Sequence, residues 1–126
     1  MDLINNRYKL LVVDIDGTLL GKDGTISAED KHALSQVVAS GIRISLSSGR
    51  VAQACLKILN WLSLDGYHMF SDGALISDSK KGEEVYVKPI GAGLVKRLVG
   101  LARLNEINLD LYSTDDFFCR AGNMGY

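Results

Sequence analysis

The sequence predicts an α/β fold, a partial Rossmann-like parallel sheet with helices followed by the start of a second α/β unit. Two observations predict it. Apolar strand-like runs alternate with amphipathic helical stretches from Tyr8 to Phe70, giving the order βαβαβ. Such alternation argues for parallel strands joined by right-handed crossovers. The first apolar run ends in two carboxylates, Asp14 and Asp16, followed at once by Gly17 and Thr18. In open α/β sheets ligands sit at the carboxyl ends of strands.

Tyr8 to Asp14 reads as the first strand. Its nearly continuous apolar residues suit a strand covered on both faces. Gly17 to Thr25 holds three glycines and no helical period, so it reads as a loop or small flap. Ser27 to Ser40 reads as a helix: Ser27 can cap it, Asp30 completes an approximate capping box, and Gly41 supplies the stop. Its apolar face is Ala33, Leu34, Val37 and Val38. Ile42 to Leu46 follows as a second strand, whose alternation looks less buried than the first. Val51 to Leu62 is a second helix, with Val51, Ala52, Cys55, Ile58, Leu59 and Leu62 on one side.

Tyr67 to Phe70 is a short third strand ended by Ser71-Asp72-Gly73. Ala74 to Ser77 and Glu83 to Val87 read as a hairpin around the polar stretch Asp78 to Gly82. Pro89, Gly91 and Gly93 mark a boundary, which divides the chain into residues 1–88 and 89–126. Beyond it Leu94 to Leu104 reads as a helix with Leu94, Val95, Leu98, Leu101 and Ala102 inward. Leu109 to Tyr112 and Phe117 to Arg120 read as strands around a turn at Ser113 to Asp116.

Bulk properties exclude several functions. The 126 residues suffice for one ordinary domain with a core. The net charge of -1, with both signs scattered, offers no electrostatic case for nucleic acid or an anionic membrane. Cys55 and Cys119 lack any ligand spacing and read as buried free thiols, consistent with a reducing compartment. The polar stretch Met1 to Lys9 lacks the apolar core of a signal peptide, and no run reaches membrane-spanning length. A cytoplasmic protein is the expectation.

Three segments carry possible chemistry. A carboxylate such as Asp14 can attack phosphorus and split one hard step into two. Asp16 is placed to protonate a leaving oxygen and later to deprotonate water. Alternatively, the pair caps a turn, since Asp-Gly is a common turn dipeptide. Ser48-Gly49-Arg50 ends the second strand and opens a helix. A hydroxyl and a backbone N–H there make an anion site, or else the stretch is a plain loop. Arg50 either adds positive charge to that site or forms a surface pair. Ser71-Asp72-Gly73-Ala74 either lines the same crevice or makes a tight turn.

Taken together, these residues resemble the haloacid dehalogenase superfamily of phosphohydrolases. Asp14-Ile15-Asp16-Gly17-Thr18 resembles its motif I (DxDGT), and Ser48-Gly49-Arg50 is similar to the T/S-G-R form of motif II. Ser71-Asp72-Gly73-Ala74 resembles the NGA stretch of the Cof-type branch, which inserts an α/β cap after the third core strand. The resemblance implies a Mg²⁺-dependent phosphatase that hydrolyses small phosphorylated metabolites through an aspartyl-phosphate. It implies Asp14 as nucleophile and Asp16 as general acid/base, with Mg²⁺ on the Asp14 side chain and the Asp16 carbonyl. It implies phosphate binding by Ser48 and the Gly49 N–H, supported by Thr18, which braces the motif I turn.

The resemblance also marks two departures. Asp72 stands where the Cof-type pattern has Asn, and an ionised carboxylate there repels a phosphate dianion unless it pairs with metal or Arg50. The motif III lysine and the acidic motif IV lie after the cap in that family. This chain is expected to be truncated within the cap, so it lacks both, and Mg²⁺ should bind weakly. The first strand would then be a sheet edge, and self-association through it is expected. Sedimentation showing only monomer would contradict that. The alternative reading is a catalytically incomplete remnant that binds metal or phosphate, or only assembles. A phospho-accepting receiver domain fits poorly, because no suitable acid ends the second strand.

Overall fold

The computed structural model describes residues 8–113 and 117–119. They fall into two compact units, Met1–Val87 and Lys88–Tyr126. In the first unit the order is β1 (Leu10–Asp14), α1 (Ala28–Ala39), β2 (Arg43–Ser47), α2 (Ala52–Leu62), β3 (Tyr67–Phe70), β4 (Leu75–Asp78) and β5 (Glu84–Val87). The second unit holds α3 (Ala92–Leu104), β6 (Leu111–Tyr112) and β7 (Phe117–Phe118). The expected residues 114–116 of the last turn, and Arg120, lie outside the described residues.

Five strands form one sheet in the order β1-β2-β3-β4-β5. The pairs β1–β2 and β2–β3 are parallel, while β3–β4 and β4–β5 are antiparallel. The hairpin read from the sequence is therefore not an appendage. It extends the parallel sheet into a mixed one, because the turn at Ser71–Gly73 reverses the chain directly beside β3. Asp78 builds the next reversal. Its Oδ1 accepts the N–H groups of Lys80 and Lys81, each at 2.9 Å, and Gly82 takes a positive φ of 63°.

Local signals held where they depend on neighbours in sequence. The Ser27 hydroxyl accepts the Asp30 N–H at 2.9 Å and donates to Asp30 Oδ2 at 2.7 Å. Gly41 ends the α1 segment with φ 82°, a conformation that favours glycine.

Burial reverses one expectation. The apolar strand β1 is open to solvent, with Leu10 at 53% and Val12 at 45% exposure. The alternating strand β2 is covered on both faces, and Ile44, Ser45 and Leu46 are all buried. The reason is place in the sheet. Among the described residues β1 has a single neighbouring strand, whereas β2 lies between two and packs under α1. The core gathers Ile15, Leu19, Ile26, Ile44, Leu46, Cys55, Ile58, Leu59, Leu64 and Phe70. Cys55 is buried as expected, but Cys119 is only half-buried. On α3 the half-buried residues are Val95, Leu98, Val99 and Ala102, while Leu94 and Leu101 are exposed. That face is turned from the one read in the sequence.

His68 is a core residue that sequence patterning does not single out. Its side chain is fully buried, and Nδ1 accepts the Leu46 N–H at 3.0 Å. The ring thus stands in for a main-chain acceptor between β2 and β3. The bond makes Nδ1 the unprotonated nitrogen, so Nε2 carries the hydrogen, and it is buried without a partner. Burial pulls the His68 pKa below its ordinary value, opposed by the nearby carboxylates of Asp78 and Asp65. The folded state therefore binds this proton less readily than the unfolded chain. Its stabilising effect is complete above the unfolded value of about 6.5 and is lost as pH falls below it. Urea unfolding between pH 8 and 5 is expected to show this decline. His68→Leu should flatten the slope and, at pH 8, cost about 1–3 kcal/mol through the orphaned Leu46 N–H. An unchanged slope in the variant would assign the decline to other groups.

Candidate active site

Parallel pairing sets the site. Asp14 lies opposite Ser47, and Ser47 lies opposite Met69, so β1, β2 and β3 end side by side. After Asp14 the chain curls. The N–H groups of Leu19 and Leu20 both donate to the Ile15 carbonyl, at 3.0 and 2.8 Å, and Gly17 adopts φ 77°. Ile15 is fully buried between two exposed acids. The core thus anchors the turn by one residue and holds Asp14 and Asp16 outward. The Thr18 hydroxyl donates to Asp14 Oδ2 at 2.9 Å, which orients that carboxylate.

The second loop starts at Ser48, which is buried. Its Oγ accepts the Arg50 N–H at 3.1 Å. The hydroxyl proton stays available for another acceptor, and the buried Cys55 is a neighbour of this hydroxyl. Burial pushes the Cys55 thiol above its ordinary pKa, so it remains a neutral neighbour. Gly49 is exposed beside it.

The third loop is stitched to the second by backbone. Ser48 N–H donates to the Met69 carbonyl, Asp72 N–H to the Ser48 carbonyl and Ser71 N–H to the Arg50 carbonyl, at 3.0, 3.1 and 2.9 Å. Ser71, Asp72 and Gly73 all have positive φ, at 51°, 53° and 86°. Two consecutive non-glycine residues in the left-handed region are costly, and such backbone tends to gather where function demands it. The conformation lays the Asp72 carboxylate over Gly49. A methyl at Gly49 would come within 3.1 Å of Asp72 Oδ1, closer than ordinary packing allows.

Arg50 forms the surface pair that was one of its two readings from the sequence, and the structure supplies the partner. Its Nε donates to Asp16 Oδ2 at 2.8 Å and its Nη2 to Asp16 Oδ1 at 2.6 Å. The guanidinium grips both oxygens of the second acid, and it pairs with Asp16 rather than with Asp72. This hydrogen bonding holds the Asp16 carboxyl below the usual carboxylate range and raises the Arg50 guanidinium in return. The structure thus brings Asp14 to Thr18, Asp16 to Arg50, and Gly49 to Asp72. Sequence reasoning missed the first-turn Cys55 behind Ser48 and the Arg50–Asp16 pair. Only the pair of opposite charges at facing strand ends could have signalled the latter.

The profile of the haloacid dehalogenase-like hydrolase family matches residues 11–124. The chain belongs to that family. It is 28% identical over 111 residues to an HMP-PP phosphatase of Yersinia pestis, across 88% of this chain and 40% of that protein. Among solved structures it resembles a haloacid dehalogenase-like hydrolase from Bacteroides thetaiotaomicron, at 27% identity and TM-score 0.82. That match covers 93% of this chain and 45% of the other. A phosphatase of the haloalkanoate superfamily from the same organism matches at 26% identity and TM-score 0.78, over 98% of this chain and 46% of its own. This haloacid dehalogenase-like chain therefore spans less than half the length of these relatives.

The donor set decides which divalent ion the site could hold. Among the described residues no three His, Cys, Asp or Glu converge as a metal cage. The exposed Asp14 carboxylate, oriented by Thr18, suits a hard ion that keeps most of its waters. Mg²⁺ binds in this way, through one or two carboxylates plus waters and phosphate oxygens. No helix among the described residues is long and apolar enough to cross a membrane.

Proposed function

We propose that this chain carries the nucleophile half of a phosphatase site that hydrolyses small phosphate monoesters through an aspartyl-phosphate. One observation supports this above the others. The Asp14 carboxylate and the Ser48–Gly49 loop stand at the ends of paired strands, with Asp14 in register with Ser47. A phosphoryl group held by the Ser48 hydroxyl and the Gly49 N–H would face Asp14.

In this reading an Asp14 oxygen forms a bond to phosphorus as the bond from phosphorus to the leaving oxygen breaks. Asp16, once it has left Arg50 and taken up a proton from solvent, gives that proton to the leaving oxygen. It then takes a proton from water, whose oxygen attacks phosphorus and frees Asp14. Thr18 keeps Asp14 aimed throughout. The Asp14 side chain and the Asp16 main-chain carbonyl would hold Mg²⁺, which when bound would offset the negative charge of the site. Residues 89–126 are read as the beginning of the α/β cap, and residues 1–88 as the front part of the core.

The test is turnover and trapping. The chain is incubated with para-nitrophenyl phosphate and Mg²⁺, and the reaction is quenched in acid. Phosphate release with a mass increase of one phosphoryl group on the peptide holding Asp14 supports the reading. Turnover with the label on another residue, or hydrolysis indifferent to removal of Mg²⁺ by a chelator, contradicts it.

A further inference from the structure

Arg50 is fixed at its base by backbone bonds, while its tip is paired with Asp16 in a solvent-accessible position. Its N–H is held by Ser48 Oγ and its carbonyl by the Ser71 N–H. Its side chain is 38% exposed, and that of its partner Asp16 is 54% exposed. The pair is bidentate but open to solvent, so a ligand that offers the fork two oxygens can compete with Asp16 for it. Gly49, the residue before it, presents the proposed phosphoryl-binding N–H.

The charges around that spot leave few other sources of compensation. Asp14 and Asp16 approach from the first loop, and Asp72 lies over Gly49 from the third. A phosphoryl dianion arriving there meets three carboxylates. The cation tied into this cluster is the Arg50 guanidinium, whose planar fork matches two phosphoryl oxygens as well as it matches a carboxylate. While that fork bonds both oxygens of Asp16, it turns the carboxylate toward Arg50 and favours its ionised form over the acid a leaving group needs.

We propose that Arg50 is an exchangeable clamp: it closes on Asp16 in the empty site and passes to the phosphoryl group when that group binds, which releases Asp16. The inference rests on the reading of Ser48–Gly49 as the phosphoryl site. It makes phosphoryl binding and release of Asp16 a single event, so Asp16 becomes available only beside a bound phosphoryl group.

The test is a double-mutant cycle read by amide NMR on the 126-residue chain, titrated with inorganic phosphate without metal. The Gly49 N–H and the Arg50 Nε–H are followed in the parent, Asp16→Ala, Arg50→Ala and the double variant. Asp16→Asn serves if the alanine variant loses spectral dispersion. The clamp predicts that Asp16→Ala tightens phosphate binding by up to about fivefold, because Arg50 is freed, the ceiling being the worth of an exposed pair. It predicts a smaller gain from the same change when Arg50 is already alanine. Plain charge repulsion predicts the reverse, since Asp16 is then no longer neutralised. A gain as large or larger in the Arg50→Ala background overturns the clamp. So does an Arg50 Nε–H signal that stays in place when phosphate saturates the Gly49 N–H. A Gly49 N–H that responds in no variant overturns the phosphoryl-site reading itself, which the other two results leave standing.

Discussion

Asp14→Asn is expected to lower the hydrolysis of a small phosphate monoester by at least about a thousandfold, since a carboxamide cannot act as the attacking oxygen. The fold should be nearly indifferent. Asp14 is exposed, and the Thr18 hydroxyl that donates to its Oδ2 can donate equally to an amide oxygen. Surface changes of this kind usually move stability by about 0.5 kcal/mol or less. The paired measurement is steady-state turnover beside urea unfolding. Loss of rate at unchanged midpoint places the defect in chemistry. Retained turnover would remove Asp14 from the role of nucleophile, and a collapsed midpoint would show that the acid is needed for folding.

Phe70→Ala should produce the largest loss of stability. Phe70 ends β3, is 1% exposed, and packs in the cluster with Ile15, Leu46, Cys55 and Leu59. Truncating a buried phenylalanine costs about 3–5 kcal/mol, through lost transfer energy and the cavity left behind. That is a large part of the total for a small domain. The change should also loosen the site, because Ser71 and Asp72 follow Phe70 directly and tie the second and third loops together. Tyr67→Ala, at the exposed start of the same strand, is the control and should cost far less. A loss below about 1.5 kcal/mol for Phe70→Ala would mean that the cluster relaxes to fill the space.

The parts of the fold written in short windows of sequence were legible. β3 spans the residues its apolar run predicts, α1 starts at the Ser27 cap, and the β4–β5 reversal follows from Asp78 and Gly82. Each depends on residues only a few positions apart. Burial was not legible in the same way. The long apolar run of β1 looked like the most covered strand, yet solvent reaches Leu10, Leu11 and Val12. Coverage depends on which strand lies alongside, and periodicity carries no information about that.

The same division runs through the candidate site. Which chemical groups are present, and which strand ends they occupy, can be read along the chain: two acids around Ile15, a hydroxyl and a glycine after β2, and a third acid after β3. Their partners follow from how the strands come together in space. Arg50 meets Asp16 across 34 residues, Asp72 covers Gly49, and His68 completes the hydrogen bonding of Leu46. The physical reason is range. Strand and turn propensities act between neighbours along the chain, whereas charge pairing and hydrogen-bond satisfaction act between neighbours in space, which parallel pairing of β1, β2 and β3 creates.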